Sequence, residues 1–135
     1  MSAPQITQSV QTATSVVYPG LPSSVALARL LIRDLLAGSP RLDDVELIGS
    51  ELMTNAIRHT PSGQDGGTFT FTIERTPRWT RIEVEDLGSG SWQPAHGDSS
   101  AEYGRGLVLV TALADHVGHG AAIVARHRSW AEVSW

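Results

Sequence analysis

Two neighbouring stretches, GTFTFTIERTP (67–77) and RWTRIEVEDLG (78–88), alternate apolar and polar side chains with a period of two. In a strand, successive side chains point to opposite faces, so Phe69, Phe71 and Ile73 share one face and Ile82 and Val84 share another. With TPRW between the runs, the pattern predicts a hairpin whose sheet has one apolar and one polar face. A sheet of that kind must be covered on one side only.

The cover comes from segments with helical spacing. VALARLLIRDLLAG follows Pro19-Gly20, with Ser23 or Ser24 as its expected cap. Its apolar positions Val25, Leu27, Leu31, Leu35 and Leu36 give it a broad face, and Gly38 and Pro40 end it. A second helix is expected from Leu42-Asp43-Asp44, where acids suit a positive N-terminus. Its buried stripe is Val45, Ile48, Leu52 and Ala56, and Pro61-Ser62-Gly63 closes it. GLVLVTALADHV predicts a third helix, opened by Gly104-Arg105-Gly106; AAIVAR and SWAEVSW predict two last strands. The expected order is strand, helix, helix, two strands, loop, helix, two strands. That order is an α+β, two-layer arrangement with a largely antiparallel sheet and helices on one face.

At 135 residues the chain reads as one domain, 1–135, with 1–11 a loose terminus. A net charge of -4, from 10 Arg against 14 Asp plus Glu, argues against direct contact with nucleic acid. Without Cys there are no disulfides or thiolate metal sites, and without Lys there is no Walker-type phosphate loop. No apolar run approaches the roughly 20 residues of a membrane span, and MSAPQITQSV has no signal-peptide pattern, so no membrane role and a cytoplasmic location are expected. His96, His116, His119 and His127 lack tight metal-ligand spacing, and no G-x-S-x-G elbow occurs. The four Trp residues are expected to pack.

Three polar patterns remain, in order: Glu51-x-x-x-Asn55, Asp86-x-Gly88-x-Gly90 and Gly104-x-Gly106-Leu107. Residues four apart on a helix point the same way, so Glu51 and Asn55 form one stripe in ELMTNAIRHT. A solvated face explains such a stripe, and so does a shared metal or substrate. Asp86 closes a strand before two glycines. There a carboxylate can accept from an amino group on a flat ligand, and an Asp-Gly turn is the plain alternative. Gly104-Arg105-Gly106 at a helix start would suit an anion, and the polar stretch 88–104 would cover it as a lid. With phosphates there, Asn55 could lend an oxygen to Mg²⁺ and Glu51 could take a proton from an attacking hydroxyl. Arg58 and His59 could meet phosphate, and for His59 a favourable helix-end position is an equal explanation.

These motifs resemble those of the Bergerat-type ATP-binding fold of the GHKL superfamily. ELMTNAIRHT is similar to its N box, DLGSG to its first glycine box and YGRGLVLV to its second. Within that superfamily the chain looks most like the small, free-standing anti-sigma factor serine/threonine kinases of bacteria, over about residues 12 to 135. The resemblance implies a two-layer sandwich with a mixed, mostly antiparallel sheet. It further implies binding of ATP with Mg²⁺, with Asn55 on the metal, Asp86 on the adenine amino group and Glu51 as base. Arg58, His59, Gly88, Gly90, Gly104, Arg105, Gly106 and Leu107 would complete the nucleotide site. Implied partners are a sigma factor and an anti-sigma antagonist protein that is phosphorylated on Ser or Thr, with a homodimer as the usual assembly. One box departs from the pattern. Where the family often has G-x-x-T before its last strand, this chain has ARHRSWAEV, with Ser129 nearest the Thr position. The alternative function is therefore a binding module that senses ATP or ADP and sequesters a partner without phosphorylating it.

Overall fold

The computed structural model describes residues 12–88, 100–123 and 125–135, with backbone alone at 100–106. The elements are β1 (Thr12–Pro19), α1 (Pro22–Leu35), α2 (Leu42–His59), a 3₁₀ turn (Pro61–Gly63), β2 (Thr68–Thr76), β3 (Trp79–Asp86), α3 (Ser100–Leu113), β4 (His116–Ala121) and β5 (His127–Ser134). The strands form a five-stranded sheet in the order β1-β2-β3-β5-β4. Every ladder in it is antiparallel.

Period-two alternation sets the two faces. Phe69, Phe71, Ile73, Ile82, Val84, Ala131 and Val133 are buried on the inner face. Against them pack Ala28, Ile32 and Leu36 from the α1 segment and Val45, Ile48, Leu52, Met53 and Ala56 from α2. The outer face carries linked charges instead: Arg81 pairs with Glu83 and Glu132, and Arg126 and Arg128 pair with Glu85. On that face the Trp130 ring lies across Gly118 of β4, where an added Cβ would stand 2.3 Å from the ring. The Arg81 guanidinium covers the same ring at 5.4 Å.

Several boundaries differ from the sequence-based expectation. Helix α1 starts at Pro22 with Leu21 as its cap residue and no side-chain cap bond, so neither Ser23 nor Ser24 serves; Ser24 is buried. Proline at the first helical position supplies the fixed φ and forgoes only a free N–H. Leu27 is 57% exposed, while Ala28 and Ile32 carry the contact. Helix α3 begins at Ser100 and ends at Leu113, and the next residues, expected in that helix, lead into β4. AAIVAR does not form the expected strand among the described residues; its first residue ends β4, and Ala122, Ile123, Ala125 and Arg126 precede β5 without strand structure. The turn there is closed by Arg126 N–H donating to the Ile123 carbonyl at 2.9 Å, with Ala125 at φ 61°.

Candidate functional site

Helix α2 has three kinds of face. Its apolar stripe meets the sheet. Glu46 is 9% exposed and faces α1, where its carboxylate accepts from Arg29 at 3.0 Å and from Arg33. Nine residues on, Asn55 lies roughly 180° around the axis from Glu46, on the edge turned away from α1. Glu51 lies one turn earlier on that edge and is half-buried. Asn55 is only 8% exposed, and its Nδ2 has no hydrogen-bond partner among the described residues. A buried amide without a partner is costly, and most folded proteins avoid it. The two ends of an amide are nearly isosteric, so this position can offer an oxygen to a cation or an N–H to a phosphate oxygen.

Arg58 and His59 occupy the last turn of α2 and are exposed. Partial burial, with Arg58 adding to it, pushes the His59 imidazole below its ordinary pKa.

Asp86 ends β3 on the inner face and is 3% exposed. Its Oδ1 accepts from the Gly88 N–H at 2.7 Å, so the Asp-x-Gly motif is an Asx turn as well as a buried carboxylate. Desolvation pushes the Asp86 carboxyl above its ordinary pKa, against the opposing pull of the Gly88 N–H and His127. Just beyond Asp86, the Leu87 N–H donates to Ser62 Oγ at 2.9 Å. Ser62 is itself held by Thr60, whose Oγ1 accepts from the Ser62 N–H at 3.1 Å and donates to the Ala56 carbonyl at 2.6 Å. A Cβ at Gly20 would stand 1.7 Å from the Ser62 carbonyl oxygen, so glycine is what admits β1's end beside this turn. The end of β3 and the end of α2 are thereby fastened together. Asn55 lies about 7.5 Å along the helix from Thr60, at 1.5 Å per residue.

Facing Asp86 across the β3–β5 ladder is His127, 2% exposed, with Nδ1 3.5 Å from Asp86 Oδ2. Its Nε2 stands 3.4 Å from Nδ1 of His119 on β4. Spacing along the chain gave no hint of this row; the register of β3 with β5 creates it. Among the described residues no group of three His, Asp or Glu side chains can hold a metal ion.

The second glycine box sits differently from expectation. Because α3 starts at Ser100, Gly104, Arg105 and Gly106 fall within its first two turns, not ahead of it. Only the first four N–H groups of a helix lack an internal acceptor, so Gly104 and Gly106 do not form the open anion cradle expected of them. The Arg105 side chain, Gly90 and residues 89–99 of the expected lid, with Trp92 and His96, lie outside the described residues. Leu107 is half-buried and joins Leu52, Ala114, Val117, His119 and Ser129 around a cavity of about 380 Å³ between α2, α3 and β4.

Asp86 thus offers a buried carboxylate and Asn55 a buried amide nitrogen without a partner among the described residues, on segments that the Ser62–Leu87 bond joins. The fold is that of the GHKL superfamily, the Bergerat type of ATPase domain. Residues 18–127 match the family described as "Histidine kinase-like ATPase domain", and the chain belongs to that family. No curated protein matches the chain. Among solved structures it is similar to a chain of the crystal structure of the SiaB–SiaC complex from Pseudomonas aeruginosa. The likeness has 17% identity and a TM-score of 0.64, and covers 93% of this chain and 90% of that one. At that identity the likeness is one of fold. Among the described residues no helix is long and apolar enough to cross a membrane.

Proposed function

We propose that this protein is an ATP-binding regulatory serine/threonine kinase of the anti-sigma factor type, which phosphorylates an anti-sigma antagonist protein and sequesters a sigma factor. The observation that carries the nucleotide part is the pair of buried polar groups, Asp86 and Asn55, that the Ser62–Leu87 bond ties to one end of the sheet. Asp86 would accept from the adenine amino group, beside Gly88 and Gly90. Asn55 would hold Mg²⁺, and Arg58, His59 and Arg105 would face the phosphates, with Gly104, Gly106 and Leu107 forming the wall toward α3. Bound ATP would supply the transferable γ-phosphoryl group, and Mg²⁺ would offset its charge. The carboxylate of Glu51, one turn from Asn55, takes the proton of a Ser or Thr hydroxyl as that oxygen bonds to the γ-phosphorus and the β–γ bridge breaks. The protein partners, a homodimer and a cytoplasmic setting belong to the same proposal. The partners gain support from the similar fold of a chain solved within a two-protein complex.

Transfer of labelled γ-phosphate to the cognate antagonist tests this reading. Glu51→Gln should abolish transfer while ATP still binds; undiminished transfer removes Glu51 from the role of base. One observation favours a second reading. The segment opening β5 is Arg126-His127-Arg128-Ser129, without the G-x-x-T pattern, which suits a module that binds ATP or ADP and a partner without phosphoryl transfer. Tight partner binding with no transfer to any antagonist would select it.

A further inference from the structure

A carboxylate reads an amino group only while it is ionised and correctly turned. A carboxylic acid presents an O–H and matches a keto oxygen equally well. For Asp86, burial at 3% exposure favours the neutral acid. Two donors oppose that: the Gly88 N–H on Oδ1 at 2.7 Å, and the His127 ring, whose Nδ1 faces Oδ2 at 3.5 Å. The adjacent Glu85 adds a smaller push toward the neutral acid through its negative charge, although it points to the outer face and pairs with Arg126 and Arg128. The His127 tautomer matters, because Nδ1 can help only if it carries a proton. Its other nitrogen, Nε2, meets His119 Nδ1 at 3.4 Å, and His119 is exposed at the cavity beside α3. The two nitrogens of His127 lie on opposite sides of its ring, so Asp86, His127 and His119 form a row and not a cage around one ion.

We infer that His127 is a specificity-determining residue of the nucleotide site: its Nδ1–H holds the Asp86 carboxylate as a pure acceptor, so the site selects a 6-amino purine over a 6-keto purine, with His119 fixing the His127 tautomer. This rests on the nucleotide reading above. His127 lies within the segment Arg126-His127-Arg128-Ser129, between the two ends of the family's G-x-x-T pattern.

The test compares ATP with inosine triphosphate, which differs only at the amidine edge of the base. Affinities are measured with Mg²⁺ by calorimetry for wild type, His127→Phe and His127→Asn. Wild type should prefer ATP. His127→Phe keeps a ring of similar size without either nitrogen; it should weaken ATP at least tenfold and leave inosine triphosphate within about twofold, collapsing the ratio. His127→Asn returns an N–H near the place of Nδ1 and should restore most of the preference. An unchanged ratio in His127→Phe overturns the inference and leaves the nucleotide reading standing, whereas wild type that binds neither nucleotide overturns both. If His127→Phe does not fold, the ¹⁵N tautomer pattern of wild type in the absence of nucleotide decides: a protonated Nδ1 on His127 supports the inference, and a bare Nδ1 refutes it.

Discussion

Replacing Asn55 with Leu separates what the fold needs from what the site needs. Asn55 is 8% exposed and its Nδ2 has no partner among the described residues, while its neighbours one turn away and beside it include buried Leu52 and Ala56. An unsatisfied buried amide costs about 1–3 kcal/mol, and Leu is the better helix former by about 0.4 kcal/mol. The side chains have the same number of heavy atoms and the same branching, and leucine's extra bulk offsets part of that gain. Asn55→Leu should therefore raise the stability of the nucleotide-free protein by about 1.5–3 kcal/mol, and its Tm by about 4 °C for each kcal/mol in a domain of this size. With Mg²⁺ and ATP at a hundred times Kd, wild type should gain about 2.7 kcal/mol and Asn55→Leu should gain little. The ranking of the two melting curves would then close or invert on adding nucleotide. Thermal and urea melts with and without Mg²⁺-ATP make the comparison. If Asn55→Leu lowers the stability of the nucleotide-free protein, the amide serves the fold and the reasoning fails.

Two other sites give independent outcomes. Burial alone would raise the Glu46 carboxyl, but the hydrogen bonds and charges of Arg33 and Arg29 outweigh it and hold it below the usual carboxylate range. Stability from a lowered pKa is present above the unfolded value, about 4.3, and disappears as pH falls through the folded one. Glu46→Gln should thus cost about 1–2 kcal/mol at pH 7, limited by the half-exposed Arg partners, with the gap closing below pH ~4 in urea melts. A gap that stays constant with pH would assign Glu46 a packing role only. Gly20→Ala, which drives a methyl into the Ser62 carbonyl, should cost on the order of 3 kcal/mol or more and weaken nucleotide binding through the displaced turn. Calorimetric melts showing a loss under about 1 kcal/mol would mean the turn yields easily.

Much of the fold was legible because two patterns are strong and local. The alternation through β2 and β3 grouped Phe69, Phe71 and Ile73, and Ile82 with Val84, as observed, though the register brings both groups onto one inner face instead of two; the stripe of α2 placed Val45, Ile48, Leu52 and Ala56. The C-terminal third was read less well for a physical reason. HVGHGA looks nothing like a strand, yet it forms β4, because the Trp130 ring needs Gly118 beneath it. Cross-strand packing decided against intrinsic propensity. AAIVAR has the composition of a strand but a turn must close between β4 and β5, and Ala125 takes the left-handed backbone there. In α1 the apolar positions outnumber those the core can cover, so spacing alone misassigned Leu27. The glycines of the second box suggested a helix boundary, and the helix runs through them. Of the candidate site, Glu51, Asn55 and Asp86 were singled out by motif spacing. His127 was not, since its meeting with Asp86 depends on a ladder between segments 41 residues apart.

The Ser62–Leu87 link has a consequence for how variants of this protein will behave. On the function proposed above, it is a bracket between Asp86, which would support the base, and Asn55, which would support the phosphate tail. Loosening it through Ser62, Thr60 or Gly20 would spoil both ends of the ligand together, lowering affinity for adenosine and for the triphosphate in proportion. Damage at Asp86 or Asn55 alone would be felt at one end.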